Sequence, residues 1–139
     1  LPMGEIVQKI SEKINMFRPD EIFIPHLGDI HTDHAVIFKA VESCTKSFRY
    51  PFIKKVLSYE TVSETDFGLN VLSTFSPNVF VDISEFLEKK LGAMEIYSSE
   101  MGVFPFPRSR ESVEALAKVR GSTSGFNAAE GFQLLRLRE

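Results

Sequence analysis

An uninterrupted apolar triplet, Ile22-Phe23-Ile24, stands between a proline-broken helical pattern and Pro25, and it constrains the fold more than any other stretch. The run has none of the in–out alternation of a strand with one wet face. It suits a strand buried on both faces, as in a parallel sheet. Before it, Met3, Ile6, Val7, Ile10, Ile14 and Phe17 recur at helical spacing, with Glu5, Lys9 and Glu12 on the other side. That pattern predicts an amphipathic helix. Arg18-Pro19-Asp20 ends it, because proline disfavours helical geometry at the residue before it. Past Pro25 a loop runs to Thr32, and a second helical pattern follows with Ala35, Val36, Phe38, Ala40 and Val41. Helix, strand, loop, helix is the predicted order.

Val56-Leu57-Ser58-Tyr59 is a second candidate strand and Val79-Phe80-Val81 a shorter third. Residues 60–78 between them are rich in Ser, Thr, Asp and Asn and read as a long functional loop. Asp82-Ile83-Ser84-Glu85 matches a capping box, and Leu87, Leu91 and Met94 mark the buried stripe of the helix it would start. Ser109, placed after Pro105-Phe106-Pro107, caps a fourth helix bearing Val113, Leu116 and Ala117, with Gly121 as its stop. Asn127-Ala128-Ala129-Glu130 offers a last capping box before Phe132, Leu134 and Leu135. No repeat or low-complexity linker interrupts the chain, so residues 1–139 read as one α/β unit.

Charge and cysteine content exclude several classes. A net charge of -3 lends no support to nucleic-acid binding, which favours a basic face. No apolar run approaches the roughly 20 residues of a membrane span. The single cysteine, Cys44, forms no internal disulfide, so a reducing, cytoplasmic setting is expected. Cys44 itself reads as an inert buried thiol.

All three histidines fall in His26-Leu27-Gly28-Asp29-Ile30-His31-Thr32-Asp33-His34. This stretch follows the carboxyl end of a predicted buried strand and precedes a helix, where ligands bind in open α/β sheets. His31 and His34 share a face if the helix starts near Thr32. Asp33 between them can orient a ring nitrogen or supply a carboxylate. Two imidazoles and a carboxylate suit zinc better than magnesium or calcium, which take oxygen shells. The same residues also read as a helix cap with polar neighbours, and spacing alone leaves both open. For His26 no partner is implied, and the plain loop-residue reading leads.

The stretch from Pro25 to His34, with Gly28-Asp29-Ile30-His31-Thr32-Asp33-His34, resembles the second motif of the PIG-L/LmbE-like N-deacetylases. The similarity continues at Lys55-Val56-Leu57-Ser58-Tyr59-Glu60-Thr61, at residues 82–94, at Phe106-Pro107-Arg108-Ser109, and from Arg120-Gly121 to Ala129-Glu130-Gly131-Phe132. It thus spans nearly the whole chain from Arg18 onward. The resemblance implies a Rossmann-like three-layer α/β sandwich with a mostly parallel sheet. It further implies zinc-dependent hydrolysis of the N-acetyl group of an N-acetylglucosamine-type conjugate, in a homo-oligomer. By the match His34 is the zinc ligand. His31 would stabilise the oxyanion and protonate the leaving amine, and Asp33 would orient that ring and hold its positive charge.

The sequence also departs from that family. The early Ala-His-Pro-Asp-Asp-Glu motif, which supplies two zinc ligands and the base, does not occur. Arg18-Pro19-Asp20-Glu21 is only superficially close. The chain therefore reads as a partial domain, the C-terminal portion of such an enzyme with its N-terminal strands missing, inactive alone. Its opening Leu1-Pro2-Met3-Gly4 fits sequence missing upstream. The alternative is a degenerate, non-catalytic member serving as a sugar-binding or assembly module; the sequence upstream of Leu1 would separate the two. A Rossmann nucleotide binder is disfavoured, since no Gly-x-Gly-x-x-Gly follows a strand. Arg108 and Arg120 are candidates for substrate contact. Each also has a structural reading, Arg120 as a cation in the last turn of its helix. Tyr59 and Glu60 could border the pocket, while Phe104, Phe106 and Phe126 suit core or interface better than a sugar platform.

Overall fold

The computed structural model describes residues 1–139, which form two compact units: Leu1–Ser76 with Phe132–Glu139, and Pro77–Gly131. The architecture is α/β.

In the first unit, helix α1 (Met3–Phe17) leads through Arg18 to strand β1 (Glu21–Pro25), helix α2 (Thr32–Ser43) and strand β2 (Lys55–Tyr59). Arg18 closes α1 in the left-handed region (φ 48°), its N–H on the Ile14 carbonyl at 2.8 Å. β1 and β2 pair in parallel, Glu21 beside Lys55 and Pro25 beside Tyr59, as the apolar triplet predicts. The next strand along, β4 (Ala129–Leu137), runs antiparallel to β2, with a register break between Val56 and Leu57.

One face of this sheet is sealed. Ile14, Ile24, Val41, Cys44, Tyr50, Ile53 and Val56 form its core, with Val7, Ile10 and Phe38 packed on it. The other face is buried on β2 at Leu57, 1% exposed, but open at its β1 neighbour Phe23, which corrects the expectation of burial on both sides for β1. Ile24 is 2% exposed whereas Phe23, pointing oppositely, is 50% exposed. The Phe23 ring meets Phe132 edge-on at 5.2 Å. Polar contacts pin the rim: Tyr50 and Ser11 share a hydrogen bond at 2.8 Å, and the Arg136 guanidinium donates to the Thr45 carbonyl at 2.6 Å.

The second unit holds strand β3 (Val79–Asp82), helix α3 (Leu87–Glu95), a short 3-10 turn (Ser98–Glu100), helix α4 (Arg110–Ser124) and the first residues of β4. Ile83, Ala117 and Ala128 pack together with Leu87, and Leu91 is fully buried. Arg110 at the head of α4 reaches both Glu88 and Glu95, each at 2.6 Å.

Three local expectations are corrected here. Asp82 does not cap α3: its carboxylate accepts from the Ser84 N–H and hydroxyl, making a tight turn, and the helix starts only at Leu87. Gly121 does not stop α4, which continues to Ser124 with Gly125 as its left-handed cap. A side chain at Gly121 would strike the Phe126 carbonyl and the Ala128 backbone, so the glycine permits a close approach instead. The residues after Asn127 form β4 and not a helix. Pairing with β2 overrides the capping pattern, since a ladder partner decides such short ambiguous runs. No helix is long and apolar enough to cross a membrane.

Candidate active site

The His31–His34 segment sits where β1 ends and α2 begins, in the first unit. Helix α2 starts at Thr32 and His31 is its N-cap. The cap is unusual in kind: Nδ1 of the His31 ring accepts the Asp33 backbone N–H at 3.2 Å. That bond requires a lone pair on Nδ1, so the neutral ring carries its proton on Nε2. The contact from Asp33 to this ring is thus made by the main chain.

His34, one turn on, lies with its ring stacked on that of His31, centroids 5.2 Å apart and inclined by 29°. Its Nδ1 is 2.7 Å from Asp29 Oδ2. A carboxylate only accepts, so Nδ1 carries the hydrogen, and in the neutral ring Nε2 keeps the lone pair. The Asp29 side chain is fully buried, whereas that of His34 is 24% exposed. The pair therefore has a sealed end and an open end.

The long loop of residues 60–78 supports the motif from behind. Thr65 Oγ1 donates to Asp29 Oδ1 at 2.7 Å while accepting the Thr61 N–H at 2.8 Å. Its single hydrogen is thereby committed to the carboxylate. The Ile30 N–H reaches the Glu64 carbonyl at 3.2 Å. His26 is buried, not solvated. It bonds the Ser73 carbonyl through Nε2 at 2.9 Å and meets the Phe75 ring edge-on at 5.4 Å. Gly28 and Gly68 bring the two segments together: a Cβ on Gly68 would strike the Gly28 carbonyl, and one on Gly28 the Ser73 carbonyl. Tyr59, at the end of β2, senses the same carboxylate. Burial pushes its phenol pKa up, and the negative charge of Asp29 adds to the rise.

The two arginine candidates belong to the second unit. Arg108 donates from Nε to the Glu100 carbonyl at 2.7 Å, pairs with the Glu100 carboxylate at 3.2 Å and lies over the Phe106 ring at 5.5 Å. Arg120 is not in the last turn of α4, because that helix runs on to Ser124; the dipole reason for a cation there lapses.

Asp29 and Thr65 are the residues the sequence did not single out. A carboxylate five positions ahead of a ligand-type histidine, across a helix start, was the one available signal for Asp29. Nothing local marked Thr65.

The donor chemistry fits one zinc contact: an imidazole whose other nitrogen is tied to a carboxylate is the usual arrangement of a ligating histidine. No group of three His, Cys, Asp or Glu side chains able to hold a metal is assembled by these residues.

No family profile matches the chain. Among solved structures it is similar to a conserved protein from Thermus thermophilus, at 22% identity and a TM-score of 0.74, over 100% of this chain and 61% of that one. It is likewise similar to the N,N'-diacetylchitobiose deacetylase from Pyrococcus horikoshii, at 19% identity and a TM-score of 0.67, over 95% and 51% of the two chains. The teicoplanin deacetylase Orf2, in a zinc-inhibited form, gives 19% and 0.68 over 99% and 53%. GalB, the 4-carboxy-2-hydroxymuconate hydratase from Pseudomonas putida, gives 15% and 0.72 over 98% and 60%. The chain has the fold these proteins share, and it is the fold that the resemblance to PIG-L/LmbE-like deacetylases implies. It spans between 51% and 61% of their lengths.

Proposed function

We propose that the protein is a zinc-dependent N-deacetylase of acetylated amino-sugar conjugates, to which this chain contributes the His31–His34 half of the site. The observation that carries the reading is the stacking, at the carboxyl end of β1, of two adjacent rings whose Nδ1 atoms take opposite partners, a backbone N–H for His31 and a carboxylate for His34. The presence of two deacetylases among its structural neighbours supports the same class.

Zinc, when bound, holds a water and lowers its pKa to about 7. His34 offers Nε2 as the ligand atom, with Nδ1–H held by Asp29. His31 presents Nε2–H, a donor suited to the acetyl carbonyl oxygen as negative charge grows there. Passing a proton from Nε2 to the departing amine requires the imidazolium form of the ring, so that a neutral imidazole is left behind; in the imidazolium form Nδ1 also carries a hydrogen and gives up the Asp33 N–H. The base that takes the water proton, and the remaining metal donors, lie outside these residues. Arg108 and Arg120 lie in the second unit and take no part in these steps.

The experiment is metal content and acetate release measured on the same variants of the whole protein. His31→Ala should keep zinc and lose about 10²–10³-fold in turnover, the usual cost of an oxyanion donor. His34→Ala should lose metal and activity together. If His31→Ala lost zinc while His34→Ala kept it, the two roles would be reversed; full activity in both would remove the loop from the site.

A second reading, a non-catalytic sugar-binding or assembly module, is favoured by one observation: no complete metal-ligand set is assembled by residues 1–139. GalB adds that this fold also serves a hydratase. Acetate release is specific to the first reading, since neither binding nor hydration produces it.

A further inference from the structure

We infer that Asp29 is the positioning residue that decides which nitrogen of His34 faces the metal, and that Thr65 locks Asp29 in that task. The inference rests on the zinc reading above.

A free imidazole distributes its proton between two nitrogens, and a histidine on the first turn of a helix can also rotate its ring. Asp29 removes both freedoms. Its Oδ2 lies 2.7 Å from Nδ1 of His34, so the proton is held on Nδ1 and the ring plane is fixed. In the neutral ring the lone pair is then on Nε2, the nitrogen turned away from the Asp29 contact. A carboxylate can do this only if it cannot swing away, and here it has no room or reason to. Its side chain is fully buried, its second oxygen accepts from Thr65 at 2.7 Å, and its own N–H is bonded to the His26 carbonyl at 3.3 Å.

The support extends one link further. Thr65 Oγ1 accepts the Thr61 N–H at 2.8 Å, which orients its hydrogen toward Asp29. The chain of contacts therefore runs from the Thr61 backbone through Thr65 and Asp29 to the ring of His34. It crosses from the long loop to the helix start without involving Asp33. Two carboxylates in one motif are thus given separate places: Asp29 on the His34 ring, Asp33 in the first turn of α2.

The test has two readouts. Long-range proton–nitrogen NMR of the imidazoles in the metal-free whole protein reports the tautomer, and competition against a chromogenic chelator reports its affinity for zinc alone. At a pH where the ring is neutral, His34 of the wild type should show a protonated Nδ1 and a bare Nε2. Asp29→Ala should shift it toward the Nε2-protonated form and weaken zinc binding by about 10–100-fold. Asp29→Asn keeps the shape and an accepting oxygen, and should restore most of both. Thr65→Val, which removes the strut but leaves Asp29, should fall between Asp29→Asn and Asp29→Ala.

An unchanged His34 tautomer and unchanged zinc affinity in Asp29→Ala would overturn the proposal. If that variant does not fold, Thr65→Val decides: wild-type tautomer and affinity there would overturn the role of the lock. A wild type with the assigned tautomer but no zinc binding would instead overturn the zinc reading and leave the tautomer assignment standing.

Discussion

The rings of His31 and His34 stack 5.2 Å apart while using their Nδ1 atoms in opposite senses, the first accepting from the Asp33 N–H and the second donating to Asp29. Two histidines three residues apart are thereby made chemically distinct without any difference in sequence neighbourhood that would announce it. With both rings neutral, each offers a different Nε2: a donor on His31 and a lone pair on His34.

Because Asp33 touches the His31 ring through its backbone, the side chain is expected to matter less than either histidine. Asp33→Ala should keep the 3.2 Å contact to Nδ1 and reduce turnover by less than about tenfold, well short of the loss expected for His31→Ala. A drop as large as that of His31→Ala, in steady-state kinetics, would place the carboxylate itself in the reaction.

Zinc titrated into the 139 residues alone should bind weakly, since one tethered imidazole falls short of the three protein ligands a catalytic site uses. Calorimetry at neutral pH checks this. Sub-micromolar, one-to-one binding abolished by His34→Ala would reveal a complete site.

Tyr59 predicts an alkaline limb. Its pKa is raised in the fold, by burial first and the Asp29 charge second. A raised pKa means that the unfolded chain releases this proton more easily. Its contribution to stability is thus complete below the ordinary tyrosine value of about 10 and declines as pH climbs through the folded value. Urea unfolding across that range should show a steeper loss for wild type than for Tyr59→Phe. Parallel curves would remove the effect.

Ser109 is fully buried and caps α4 by accepting the Ser112 N–H at 3.1 Å. Ser109→Ala should cost about 1 kcal/mol, within the usual cap range, read as a lower denaturation midpoint with an unchanged slope. Equal midpoints would mean that the cap is redundant with the Arg110 ion pairs.

The layout was legible where one local signal dominated. Helix α1 declared itself by its stripe, β1 by its apolar triplet, α4 by Ser109. Long-range pairing defeated the rest. Glu130 to Leu135 carries a plausible helix pattern, and only the β2 ladder makes it a strand. Ile22-Phe23-Ile24 looked like a strand buried on both faces, yet α1 and α2 cover the face of Ile24 and leave Phe23 half exposed. At the candidate site, His31, Asp33 and His34 stood out as candidates because type and spacing sit in adjacent positions. Thr65 was not, because its hydrogen bond to Asp29 spans 36 positions.

The meeting of Gly28 with Gly68 bears on how such proteins diversify. Position 68 cannot gain a side chain without displacing the carbonyl of position 28, so the root of the long loop and the histidine segment must be inherited as a matched set. Beyond that root, Leu69 and Leu72 are 91% and 93% exposed and answer to no such constraint. Chimeras that exchange residues 69–72 should therefore keep their histidine geometry, whereas cuts that separate positions 28 and 68 should not. Sequence variation can accumulate at the tip while the histidine geometry below is left alone.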